Sequence, residues 1–301
     1  MDLRQLRYFV AIAEAGNVRE AAARVRVAQS ALSRHVRALE DELGVRLMDR
    51  HARGVSLTGA GARLNSRAVE ILRQIDEMRA EIIAEGELPA GDVSLGTSAA
   101  TSRLIYGRLA ERVGTDLPRV VLDLVEGASH WLLEGLDAGR LDLAILVNPE
   151  PRASLALDAL VSEQVYLLAA SGDRRMPGDR ATVADLVELP LVLFPRPAGS
   201  RMGFEHAAAA AGVKLTVAHE VQSQDVLREF VMRGLGYGLL PYSSLRGEHA
   251  AGRISAVPVD GLALTRTLVR RIDHPMTPAV AEVAERIKEI VAALADDGTF
   301  G

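Results

Sequence analysis

The chain has 301 residues, 49% hydrophobic and 25% charged, with no cysteine and a formal net charge of −5. At roughly 150 residues per domain this is about two domains, too apolar and too evenly charged for disorder. Lack of cysteine excludes disulfides, thiolate nucleophiles, cysteine zinc sites and thiol redox sensing; no run reaches the roughly 18 apolar residues of a membrane span, and no signal peptide is read in MDLRQLRYFV, so a cytoplasmic protein is expected.

The charge is unevenly spread. Met1 to Arg67 holds 12 Arg and no Lys against seven acidic residues, a net of +5, which leaves −10 for the remainder. A basic head on an acidic body is the asymmetry expected when one small domain meets phosphates.

Leu3, Leu6, Phe9, Val10 and Ala13 recur at helical spacing and predict a first amphipathic helix, ended by Gly16-Asn17. A second short helix follows with Val18, Ala21, Ala22 and Val25 inward, its alanines small enough for a third helix to cross closely. In that third helix, beginning at Gln29, Leu32, Val36 and Leu39 form an apolar stripe. Gln29, Ser30, Ser33, Arg34 and Arg37 occupy the other side. Short polar groups and Arg aimed away from an apolar face are what reading base edges in a major groove requires. Two short alternating runs around Ala52-Arg53-Gly54 predict a hairpin, with Arg46, Arg50 and Arg53 nearby. Such a wing, with Arg50 and Arg53 as candidate DNA contacts, would sit on backbone or minor groove.

Thr58 can cap the next helix, which is predicted to run to about Ala84. Leu64, Ala68, Ile71, Ile75, Met78 and Ile82 step alternately by four and three residues, a heptad seam that a second chain would cover. The competing reading is that the stripe packs on its own body. The helix emerges from the head and ends in Gly86-Glu87-Leu88-Pro89-Ala90-Gly91, which favours a dimerising linker.

Residues 1 to about 85 resemble the DNA-binding head of the LysR-type transcriptional regulators. The resemblance is carried by LRQLRYFVAIAEAGNVREAAARVRVAQSALSRHVRALEDELGVRLMDR and by RGVSLTGAG. It implies Gln29, Ser33 and Arg34 as DNA contacts, positions that polarity along the helix selects independently. Ser30 departs from the family, which usually has Pro at this helix start; Ser is a competent early-helix residue there.

From Asp92 onward strands and helices alternate. Strands are predicted at Val93–Thr97, Arg119–Val125 and Leu141–Val147, separated by helices over 102–113 and Ser129–Ala138, an order that argues for parallel crossovers. A second set follows: strands at Val165–Ala170, Leu191–Phe194 and Leu215–Val221, helices at Arg201–Ala211 and near Asp225–Arg233, and a turn and buried strand over Gly234–Pro241. A last helix runs from about Pro278 to Leu294. Two such units imply a ligand crevice at the carboxyl ends of strands. The candidates there are Ser98 and Thr101 after the first strand, Ser200 and Arg201 at one helix start, and Ser223 at another. Hydroxyls and free amides suit a carboxylate, and Arg201 can pair with one bidentately. For each hydroxyl an ordinary helix cap is the competing reading.

The body also resembles the LysR-type effector domain, related in fold to periplasmic solute-binding proteins, through VSLGTSA, LDLVEG, LLEGLDAGRLDLAIL and VMRGLGYGLLP. The resemblance implies a cleft for a small metabolite, often anionic. It also implies tetramers, DNA bending and contact with RNA polymerase.

An enzyme is disfavoured. The seven histidines are scattered, with no HExxH or paired ligand spacing. Gly127-Ala128-Ser129-His130 is no G-x-S-x-G elbow, no P-loop is present, and Trp131 reads as a core anchor. Neither a metal nor a cofactor is expected. The fold expected is α/β with an all-α head: a winged helix-turn-helix over 1–58, a linker helix over 59–90, and a periplasmic-binding-protein-like (type 2) effector domain over 91–301. Its two subdomains are expected at 91–162 plus 267–296 and at 163–266. The expected function is transcription regulation by a homodimer, with a homotetramer implied, that binds an interrupted inverted repeat in double-stranded DNA and responds to a small-molecule effector. The alternatives are an effector-independent regulator and a solute-binding protein without specific DNA binding.

Overall fold

The computed structural model describes residues 1–51, 54–83, 89–245, 249, 251–274 and 276–300, without the side chains of Arg50, Arg73, Asp76, Glu77 and residues 79–83. Two compact units form, residues 1–87 with 137–140, and residues 88–136 with 141–301.

In the first unit, α1 (Leu3–Ala15) starts in a reciprocal box. Asp2 accepts from the Gln5 amide at 2.7 Å and Gln5 Oε1 accepts from the Asp2 amide at 2.8 Å. Gly16, left-handed at φ +61°, ends it, and Asn17 caps α2 (Val18–Arg24) by accepting from the Arg19 amide at 2.8 Å. The third helix, α3 (Gln29–Leu43), ends at left-handed Gly44. Strands β1 (Met48–His51) and β2 (Gly54–Leu57) pair antiparallel from Met48↔Leu57 to His51↔Gly54. The hairpin is held to the helices at both ends. Glu40 accepts from the Leu47 and Met48 amides at 2.8 and 3.2 Å, and the Val55 amide donates to the Gly16 carbonyl at 2.8 Å. A Cβ on Gly61, in the first turn of α4 (Gly59–Ile83), would fall 1.9 Å from the Leu47 carbonyl oxygen, so only glycine lets this helix leave the wing so closely. Phe9, Ile12, Leu32, Val36, Leu39 and Leu47 fill the core.

The second unit is built on one mixed sheet. Its parallel strands β3 (Ala90–Thr97), β4 (Arg119–Glu126) and β5 (Leu143–Val147) carry α5 (Ala99–Asp116) and α6 (Ser129–Asp137) in their crossovers, as the alternation predicts. Next come β6 (Leu155–Ala170), the short β7 (Ala181–Thr182) and β8 (Leu191–Leu193). Helix α7 (Gly199–Ala210), β9 (Val217–Glu220), α8 (Gln224–Met232), β10 (Tyr237–Pro241), β11 (Ile254–Arg271) and α9 (Pro278–Asp296) complete it. The order across the sheet is β4-β3-β5-β11-β6-β10-β8-β9, with β7 beside β11.

The sequence predicts only Val165–Ala170 of β6 and nothing of β11, yet these are the longest strands and run antiparallel through both halves of the sheet. Pro258, Asp260 and Gly261 interrupt the strand pattern of β11, and in the fold they fall at a register shift between Pro258 and Ala263. The Gln164 amide group supports that irregularity, donating to the carbonyls of Val259 at 2.7 Å and Leu262 at 3.0 Å. Val93, Leu95, Ile105, Leu143, Val283 and Ile287 form the core of one half; Leu167, Leu191, Phe204, Tyr237 and Leu239 form that of the other. Trp131 is not in either: it is 44% exposed, because α6 turns Leu132 and Leu136 inward and leaves its neighbour outside, over Gly127.

Candidate DNA interface and effector crevice

Helix α3 divides as its polarity predicts. Leu32, Val36 and Leu39 are buried, Gln29, Ser30, Arg34 and Arg37 are exposed, and Ser33 is half-buried. Tyr8 on α1 meets His35 edge to face at 5.1 Å, which fixes the middle of α3. Neither Arg34 nor Arg37 has an ion-pair partner among the described residues. Ala28 stands at the N-cap and makes no side-chain cap bond, so the first amides of α3 face outward together with Gln29 and Ser30. Arg50 lies on β1, its side chain outside the described residues, as is all of Arg53.

The seam on α4 splits in two. Ala68 is fully buried and Leu64 half-buried against the head's own core, where Leu72 also sits, so the start of the stripe is intramolecular. Ile71 and Met78 are 40% and 52% exposed, and Ile75 is half-buried. The Ile82 side chain lies outside the described residues.

In the second unit the predicted residues follow the carboxyl ends of parallel strands in both halves of the sheet. Ser98 precedes α5 but caps no amide; its hydroxyl lies 3.2 Å from that of Thr101. Thr101 is buried and accepts from Arg266 Nε at 3.1 Å. Arg266 on β11 is ion-paired with Glu163 on β6, both almost wholly buried. It also donates to the Ser243 hydroxyl at 3.3 Å, and the Ser243 amide donates to Glu163 at 3.3 Å. The Phe300 ring lies 5.4 Å from the guanidinium. Burial pulls the Arg266 guanidinium down to about 10. Sequence reasoning misses Glu163, Ser243 and Arg266, because the strands that juxtapose them carry no periodic signal there.

Two of the predicted residues have other duties. Arg201 is buried and donates to Glu205 at 2.7 Å, to Glu220 at 3.1 Å and to the Phe194 carbonyl at 3.1 Å. Its bidentate capacity is taken by the chain's own carboxylates, a correction to its role as a free anchor. Burial pushes the Glu205 carboxyl up, but Arg201 and Arg196 outweigh it and hold the group below its ordinary value. Ser223 accepts from the Asp225 amide at 3.2 Å and is a plain cap of α8. Ser200 is half-buried in the first turn of α7. Among the described residues, no hydrogen bond joins Ser98 or Thr101 to Ser200, Arg201 or Ser223.

A winged helix-turn-helix followed by an α/β unit whose mixed sheet has two separately cored halves defines a DNA-binding regulator as a class. Residues 3–62 match the family model of the bacterial regulatory helix-turn-helix protein, lysR family, and residues 86–292 match the LysR substrate binding domain. The chain belongs to the LysR-type transcriptional regulators. It is 30% identical over 305 residues to the HTH-type transcriptional regulator BbuR of Bordetella bronchiseptica, covering 100% of this chain and 93% of that protein. A full-length OxyR structure from Pseudomonas aeruginosa is similar at TM-score 0.78 and 26% identity, over 97% of each chain. Full-length CbnR in complex with its target DNA is similar at TM-score 0.66 and 25% identity, over 96% of this chain and 100% of that one. Among the described residues no helix is long and apolar enough to cross a membrane.

Proposed function

We propose that this chain is a cytoplasmic, non-enzymatic regulator whose paired heads read the two arms of an interrupted inverted repeat in double-stranded DNA, with Gln29, Ser30, Ser33, Arg34 and Arg37 on base edges and phosphates and Arg50 and Arg53 on the flanking backbone. The observation that carries this reading is the exposed, unpaired polar face of α3 above a fully buried apolar one. Pairing runs through Ile71, Ile75, Met78 and Ile82, beyond the part of the seam that the head itself covers. The organisation is a head over 1–58, a linker over 59–90 and an effector domain over 91–301 with subdomains at 91–162 plus 267–296 and 163–266. Higher assembly to a tetramer and contact with RNA polymerase follow the family. Sequence selection from random duplexes tests the reading: a two-armed repeat supports it, and no enriched sequence refutes it.

The effector binds the crevice beside Ser98, Thr101 and Ser200. Thiol oxidation is not the signal, since the 301 residues hold no cysteine. One observation favours an effector-independent regulator as the second reading: the buried guanidiniums of both Arg201 and Arg266 are already matched by Glu205, Glu220 and Glu163. A thermal-shift screen of the full chain against carboxylates, amino acids, sugars and aromatic acids separates the two. Saturating ligand at a hundredfold over its Kd adds about 2.7 kcal/mol.

A further inference from the structure

Helix α7 belongs to the far half of the sheet, yet its first turns rest on the end of β5 in the near half. At its start the contact is backbone against backbone. A Cβ on Gly199 would fall 2.0 Å from the Val147 carbonyl oxygen and 3.1 Å from its carbonyl carbon. One turn along the same face, a Cβ on Gly203 would fall 2.7 Å from Asn148 Nδ2 and 3.8 Å from its Cγ. The corner that receives the helix is stiff. Asn148 is left-handed at φ +46°, a conformation Asn tolerates. It is tied to β11 twice: its amide donates to the Thr265 carbonyl at 3.0 Å, and its side-chain oxygen accepts from the Thr265 amide at 2.8 Å. Helix α7 starts at Ala198 without a side-chain cap, so the Val147 carbonyl meets the positive end of the helix.

We propose that the Gly199–Gly203 face of α7 and the Val147–Asn148 corner form a backbone stop, which sets how far the two halves of the effector unit close on each other. A second tie across the two halves is the ion pair of Arg103 on α5 with Asp225 on α8 at 3.1 Å, with both side chains more than half exposed. Such pairs are individually weak. A methyl group driven into a carbonyl oxygen, by contrast, must move backbone. The stop depends on glycine at both positions and not on any ligand, so it stands whether or not the effector reading does.

The absence of cysteine makes the test clean. In the full chain, spin labels at Asp123→Cys in the near half and Lys214→Cys in the far half, diluted with unlabelled chain, report the distance between the halves and leave the stop itself intact. Gly199→Ala is expected to move the labels apart, because its methyl group meets the Val147 carbonyl oxygen. Gly107→Ala, where a Cβ meets nothing within 4 Å, is expected to leave the distance unchanged. Gly203→Val covers the case in which Gly199→Ala does not fold: its bulk meets the Asn148 side chain, which is held to Thr265, and is expected to widen the distance in the same direction. An unchanged distance in the folded variant overturns the proposal.

Discussion

Glu163 and Arg266 form an ion pair buried between the two strands that join the halves of the effector unit. Neither residue stands alone: Thr101 from α5 and Ser243 from the turn after β10 supply the remaining hydrogen bonds. Taking one charge away strands the other in a low-dielectric interior. Glu163→Ala and Arg266→Ala are each expected to destabilise the effector unit by about 3–5 kcal/mol. Exchanging both for apolar residues, Glu163→Leu with Arg266→Met, is expected to recover most of the loss in urea melts. Additive losses in the double variant would refute the pairing.

Arg201 behaves differently from a ligand anchor. Its partners Glu205 and Glu220 are the chain's own, and Glu220 is about half exposed. Arg201→Ala removes charge-assisted hydrogen bonds to a partly exposed pair of carboxylates and is expected to cost about 2 kcal/mol in the free protein. For a unit of this size that lowers Tm by about 4–8 °C. An unchanged Tm, with loss confined to ligand-induced shifts, would return Arg201 to the effector.

The seam on α4 separates into two classes of position. Ile75→Glu with Met78→Glu is expected to leave a folded chain that sediments as a smaller assembly. Ala68→Glu places an unpaired charge in the head's own core and is expected to unfold the head instead. A full-size assembly after the first pair of substitutions would move the subunit contact elsewhere.

Asp173 accepts from the buried Tyr237 hydroxyl at 2.6 Å. Burial first, then Asp173, pushes Tyr237 up to about 12, while Tyr237 and the Arg175 amide hold Asp173 below its ordinary value. The lowered carboxyl contributes stability that is present above pH 4 and lost as pH falls through its folded value. The raised phenol contributes stability that is full below pH 10 and lost as pH rises through about 12. Tyr237→Phe is expected to cost about 1 kcal/mol between pH 5 and 9 and progressively less in acid. A cost independent of pH would show that the bond is not charge-assisted.

Legibility in the sequence followed the range of the interactions. Much of the head was readable, because its signals are local: Thr58 as a cap, Gly16-Asn17 as a stop, and the stripe of Leu32, Val36 and Leu39. The parallel crossovers of the body were readable for the same reason. What escaped depends on distant partners. Strand β11 tolerates Pro258 and Gly261 only because Gln164 on β6 supports the irregularity. Arg266 finds Glu163 across a ladder, and Arg201 is claimed by a glutamate 19 residues away. Helix starts predicted the hydroxyls at Ser98 and Ser223 equally well, yet only contacts elsewhere separate a cap from a residue facing Thr101.

The most direct test of the central claim is a titration at fixed salt of an operator duplex, obtained by selection from random sequence, with the parent chain and with Arg34→Ala. A good base contact is worth about 1–3 kcal/mol, so Arg34→Ala is expected to lose roughly 5- to 150-fold on that duplex. Little change is expected on a scrambled duplex, and a control Arg108→Ala on α5 is expected to match the parent on both. An Arg34→Ala loss no larger than that of Arg108→Ala would contradict α3 as the element that reads the DNA.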